Sequence, residues 1–167
     1  AELDFQAIVD LVGDKLREVL HTGELGIRWF DRQAGEVRYL YEYEHGTRIE
    51  VPPNRLAPDS KHYARRHPLV ANSPAEQLAQ GIELVPGTDA SRSMASVPII
   101  GSDRVLGAIV TEDYERDNAF GEAEVRLLST VAASMGVALE NARLFDETQR
   151  LLKETEARNA ELAVINS

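Results

Sequence analysis

Residues 61–67, Lys61-His62-Tyr63-Ala64-Arg65-Arg66-His67, place five basic or imidazole side chains together in a chain of formal charge −10. Two kinds of chemistry could use them. A metal site would need His62 and His67, but these are five apart, which is not one helical face, and no carboxylate falls at ligand spacing. An anion or nucleotide site would use the guanidinium forks of Arg65 and Arg66 with a helix N-terminus. The plainer alternative is a solvated basic surface. Arg28 shares its strand face with Phe30, so it needs an acidic partner, solvent or an anionic ligand. Tyr39, Tyr41 and Tyr43 fall on one face of an alternating run, where they either line a pocket or pack as an apolar layer with wet hydroxyls.

Catalytic motifs are missing. The chain has no Gly-rich phosphate loop, no G-x-S-x-G elbow and no H-E-x-x-H. It has no cysteine, which removes disulfides, thiolate chemistry and Cys-based zinc sites. No metal and no enzymatic activity are therefore expected in this segment, and the sequence does not identify a cofactor. The net charge disfavours a nucleic-acid surface, which needs Lys and Arg against phosphates, and equally an anionic membrane. No apolar run is long enough to span a bilayer, and with the absent cysteines this suggests a cytoplasmic setting. The first residue is Ala1 rather than Met, as expected of a piece of a longer protein.

The elements that must position these groups follow from periodicity. Phe5, Ile8, Val12, Leu16 and Val19 recur at helical spacing over 4–20, with Asp4 as N-cap and Gly23 as a left-handed stop. Strands are expected at 25–31 and 36–44, with Val37, Tyr39, Tyr41 and Tyr43 on one face of the second and Arg38, Leu40, Glu42 and Glu44 on the other. A short strand over 47–51 ends at Pro52-Pro53. Ser60 caps a short helix through Arg66, Leu69-Val70 form a brief strand, and Ser73-Pro74 open a helix that ends at Gly81. Two apolar segments around Gly101-Ser102-Asp103 form a β-hairpin. A long helix starts near Glu122, with acids in its first turn.

In order and spacing, four groups of residues resemble the C-terminal half of a GAF domain of a bacterial signalling protein. They are Ser93-Met94-Ala95-Ser96-Val97-Pro98-Ile99, Val105-Leu106-Gly107-Ala108-Ile109-Val110, Ala119-Phe120, and Leu127-Leu128 through Val137-Ala138-Leu139-Glu140-Asn141-Ala142-Arg143-Leu144. The resemblance implies an α/β three-layer sandwich: a central antiparallel sheet, the first and last helices on one face, and a variable cap over 46–90 on the other. It divides the chain into a sensor domain, 1–145, and a helical extension, 146–167. It further implies a regulatory module that senses a small molecule or mediates dimerisation and relays the result to an effector domain. A ligand-free spacer and a nucleotide-binding GAF are the alternatives.

In that fold a ligand sits between sheet and cap. The candidate ligand-binding residues are Arg28, Tyr41, His62, Arg65, Arg92 and Tyr114. Without cysteine, no bilin can be held here by a thioether. The Asn-Lys and Asp-Glu pairs of the cyclic-nucleotide subgroup are replaced by Asp113-Tyr114 and Glu124-Val125, which disfavours that ligand, while haem stays open. Leu144, Thr148, Leu151, Thr155, Arg158, Leu162 and Ile165 form a broken heptad whose stripe needs a partner. The expected partners are a second copy, paired through 4–20 and 122–165, and adjacent GAF or effector domains of the same chain. Nucleic acid and membrane are not expected partners.

Overall fold

The alternation of the sixth strand sets the architecture. From Ser93 to Gly101 every second residue is buried, namely Ser93, Ala95, Val97, Ile99 and Gly101, while the residues between them are half-exposed. One sheet face therefore meets a thick apolar layer and the other a thinner one. In the computed structural model, which describes residues 2–82 and 90–166, helix α1 spans Glu2–Leu20. Strands β1 (Leu25–Asp31), β2 (Glu36–Glu44), β3 (Thr47–Arg48), β4 (Asn54–Arg55) and β5 (Leu69–Ala71) follow. Helix α2 (Pro74–Ala79), strands β6 (Ser93–Gly101) and β7 (Arg104–Asp113), and helix α3 (Glu122–Ile165) complete the chain. The sheet order is β3-β2-β1-β7-β6-β5, with β4 also on β2, and every pairing is antiparallel.

Both long helices lie on the same face, as expected. Val9 and Leu16 of α1 and Leu128, Ala132, Met135 and Leu139 of α3 share one core with Leu25, Ile27, Val97, Ile99 and Ile109. The other face carries a smaller cluster of Phe30, Val37 and Val105, covered by Tyr39, Leu56 and Tyr63. Helix α3 continues for 44 residues, about 66 Å at 1.5 Å per residue. Its buried residues stop at Glu140.

Several local expectations are corrected. The first helix already begins at Glu2, so Asp4 lies inside it rather than at its cap, and the left-handed residue at its end is His21 (φ 50°), not Gly23. Instead of a helix over 60–66 there is one 3-10 turn, Lys61–Tyr63, with Ser60 Oγ accepting from the His62 N–H at 3.3 Å. The strand expected over 47–51 is only Thr47–Arg48. The two-residue hairpin turn is Ser102-Asp103, both with positive φ. Of the cap expected over 46–90, residues 83–89 lie outside the described residues, as do Ala1 and Ser167 at the outer limits of the two expected domains.

The largest correction concerns the tyrosines. The β1–β2 register shifts between Ile27↔Tyr41 and Arg28↔Tyr39, so Leu40 is an extra residue on β2. A bulge of this kind re-aims every side chain beyond it. Tyr41 and Tyr43 face the helices, whereas Val37 and Tyr39 face the cap. The row of tyrosines is split between two faces.

Candidate functional site

The cap face of β1 is unusual where it meets β2. Gly26 is paired with Glu42, and a Cβ at position 26 would stand 2.6 Å from Glu42 Oε1. The bare glycine leaves room for the carboxylate on the sheet surface. Two residues on, Arg28 points from the same face and brings Nε to 3.4 Å from Glu42 Oε1. Its guanidinium also lies 5.3 Å above the Tyr39 ring. The Glu42 side chain is only 12% exposed. Burial pushes its pKa up to about 7, against the opposing pull of Arg28 and with some help from Glu112 and Glu44.

Above this floor opens a concavity of about 860 Å³ between the sheet and α2. Glu24, Glu42, Glu44 and Glu112 line its sheet side, with Arg28 and Tyr114. Leu78, Ile82, Met94 and Val110 supply apolar wall. The position of α2 follows from its caps: Ser73 Oγ accepts from the Glu76 N–H at 3.1 Å, Pro74 occupies the first turn, and Gly81 (φ 72°) turns the chain out. Glu24 Oε1 accepts from the His45 N–H at 2.6 Å, with His45 Nδ1 at 3.3 Å. Burial raises the Glu24 pKa, against the lowering effect of His45 and with the carboxylates of Glu44 and Glu112 adding to the rise. Tyr114 donates its hydroxyl to Glu112 Oε2 at 2.8 Å, and burial followed by this contact raises the phenol.

Of the six residues expected to bind ligand, Arg28 and Tyr114 line this concavity. Tyr41 does not. It is 1% exposed on the helix face, accepting from Arg17 Nε and donating to Asp14 Oδ1, both at 2.7 Å, because the Leu40 bulge turned it there. His62 packs its ring 5.9 Å from that of Phe30, outside the lining. Its pKa is lowered by burial and then by Arg65, Arg28 and Lys61, so these cations share one neighbourhood. Arg65 is half-buried in that basic patch. Arg92 is exposed and paired with Asp117, Nε to Oδ1 2.6 Å. The basic cluster and the concavity are thus neighbours that meet at Arg28. Among the described residues, no three His, Asp or Glu side chains converge as a metal would require.

The four glutamates were absent from the expected set. Their signal lay in the acidic partner that Arg28 needed and in the position of Glu42 and Glu44 on the strand face opposite Tyr41.

The model of the GAF domain family matches residues 2–140. The circadian input-output histidine kinase CikA of Thermosynechococcus vestitus is 22% identical over 162 residues, covering 89% of this chain and 22% of that protein. The chain thus spans about a fifth of that relative's length. Among solved structures, the blue-light absorbing form of the Thermosynechococcus elongatus PixJ GAF domain has a TM-score of 0.67 at 19% identity, over 90% of this chain and 94% of that one. A methyl-accepting chemotaxis protein segment has 0.66 at 15%, over 84% and 92%. The GAF/HD domain protein of Geobacter sulfurreducens has 0.62 at 17%, over 84% and 95%. These structural likenesses speak to the fold, and the family model covers it from α1 to the last buried turn of α3: the chain belongs to the GAF domain family.

Proposed function

We propose that the chain is a non-catalytic regulatory module that reads a small molecule in the concavity under α2 and passes its state along α3, within a homodimer, to an effector domain. The observation that carries this is the division of α3. Its first half is welded to the sheet, with Gly136 against the carbonyl of Ile100. Its second half has no buried residue yet keeps Leu144, Leu151, Leu162 and Ile165 at heptad spacing. Leu11 of α1 and Val137 of α3 are 73% and 61% exposed on the helical layer and extend the apolar surface.

Such a stripe on a projecting helix needs a second helix, and the same stripe on another copy fits it by symmetry. A parallel pair would bring the two C-terminal ends together at the entrance to an effector. Sedimentation of the chain is the test. A dimer at micromolar concentration is expected, whereas a monomer at about 100 μM, weaker than roughly −5.5 kcal/mol, would remove dimerisation from the reading. For the regulatory part, ligand screening by thermal shift should return a stabilising small molecule whose effect is lost on filling the concavity with Met94→Trp. Turnover of any substrate by the chain, abolished by a point mutation in it, would overturn the non-catalytic reading. Among the described residues no helix is long and apolar enough to cross a membrane.

A further inference from the structure

The concavity carries a charge that its own lining does not cancel. Four carboxylates, Glu24, Glu42, Glu44 and Glu112, face a single arginine. That arginine reaches only Glu42, through one 3.4 Å contact. Glu24 is held by His45. Among the described residues, Glu112 accepts from the Tyr114 hydroxyl, and no cation pairs with Glu44 or Glu112. The wall opposite is of another kind. Leu78, on a helix of six residues, is 79% exposed and lines the same cavity as Met94 and Val110. A large leucine left in water beside a half-buried negative wall makes an amphipathic cleft of about 860 Å³, a size in the range of small-molecule sites.

We propose that this cleft takes a small organic cation with an apolar body: an amine whose ammonium sits among the carboxylates and whose hydrocarbon part lies on Leu78 and Met94. The inference rests on reading this concavity as the module's sensing site. An anion of the same shape would face four carboxylates and find one arginine already engaged. A bare metal ion is disfavoured by geometry, since the acidic groups are spread around the wall and do not converge. An ammonium on an organic frame tolerates that spread, because its charge can be met by separate carboxylates through hydrogen bonds in several directions. The environment favours it too. Burial resists ionisation of Glu24 and Glu42, and the neighbouring carboxylates add to this. A bound cation relieves both, in a setting where charges interact more strongly than in open water.

The test is calorimetric titration of the 167-residue chain with three probes of one shape: phenethylamine, 2-phenylethanol and 3-phenylpropionate. Phenethylamine should bind best, and added salt should weaken it. Glu44→Gln and Glu112→Gln should each lower its affinity by about three- to tenfold, between the effects of exposed and buried charge pairs. Both positions are exposed or half-exposed, so unchanged thermal melts will certify the variants as folded. If the propionate or the alcohol binds as tightly as the amine, or if neither variant alters amine affinity, the cation assignment fails. Loss of that propionate or alcohol binding in Leu78→Ser would leave the sensing site standing. If none of the three probes binds, the sensing-site reading falls with it.

Discussion

Gly26 and Glu42 face each other across β1 and β2, and the carboxylate of one occupies the space a side chain on the other would need, 2.6 Å from Oε1 and 2.7 Å from Oε2. Gly26→Ala should therefore expel the carboxylate from the sheet surface toward the concavity. The displaced atoms are the far end of a flexible side chain, so the stability cost should stay near or below about 1 kcal/mol, small beside overpacking against backbone. The larger effect is electrostatic. Once in solvent, Glu42 loses the burial that raised its pKa to about 7 and should titrate nearer 4.5. Carbon-detected NMR titration of the carboxyl in both proteins measures this. An unchanged titration in Gly26→Ala would show that the glycine does not set the environment of Glu42.

The same residue makes folding depend on pH in a defined window. Its pKa is raised in the folded state, from 4.5 to about 7, so the folded chain holds the proton more tightly than the unfolded chain. Between those values the unfolded chain binds fewer protons, and stability falls as pH rises. The penalty is absent below about pH 4.5 and complete above about pH 7. Glu42→Gln removes it and should stabilise the protein at pH 8 by about 1–3 kcal/mol, the range set by the rise from 4.5 to about 7 less the lost contact to Arg28. The gain should shrink toward pH 5 and vanish only below about pH 4.5. Urea unfolding at pH 5, 6.5 and 8 checks this, and a gain independent of pH would point to some other cause.

How far the sequence disclosed this site depends on which physical rule was in play. Period-2 alternation located β1 and β2, and the two apolar segments around Gly101-Ser102-Asp103 located β6 and β7; alternation also put Arg28 on the ligand side, because nothing interrupts β1 before that residue. It misplaced Tyr41, since a one-residue bulge at Leu40 carries no side-chain signature and reverses the faces of β2. Tertiary contact also decided the segment around His62. The Ser60 cap read as the start of a helix through Arg66, but the residues settle as a single 3-10 turn with His62 against Phe30. The acidic wall was the least visible, because Glu24 stands just before β1, Glu42 lies on β2 and Glu112 on β7, and only the pairing of β1 with both β2 and β7 unites them. The long helix was the most visible, its 3–4 spacing and the acids at its first turn marking the start at Glu122.

Gly136 is where α3 is fixed to the sheet. A Cβ there would fall 2.1 Å from the carbonyl oxygen of Ile100, a backbone atom in β6 that cannot step aside alone. Gly136→Ala should destabilise the fold by about 2–4 kcal/mol despite its better helix propensity, since overpacking against backbone outweighs the roughly 1 kcal/mol that alanine contributes in a helix. Ser134→Ala, exposed two residues earlier on the other side of the helix, should stay within about 0.5 kcal/mol. Equal denaturation midpoints for the two variants would mean that helix and strand are less tightly joined than their geometry indicates.

Beyond the weld, Thr148 and Thr155 interrupt the stripe that Leu144, Leu151 and Leu162 would otherwise continue. Each hydroxyl donates to the carbonyl four residues back, Thr148 to Leu144 at 2.8 Å and Thr155 to Leu151 at 2.9 Å. The polar groups are thus satisfied within one helix and ask nothing of a partner, while their methyl groups supply less apolar area than leucine would. In a paired seam this weakens association and keeps neighbouring registers close in free energy, the condition for a helix pair to have two arrangements. Thr148→Leu with Thr155→Leu should strengthen the dimer by about 1–2 kcal/mol, near the lower range for burying apolar side chains. That corresponds to a roughly five- to thirtyfold lower dissociation constant by sedimentation equilibrium. Fused to its effector, the double variant should hold the output in one state whatever occupies the concavity. A dissociation constant unchanged by the two leucines would place these positions outside the interface and leave the end of α3 as an ordinary linker helix.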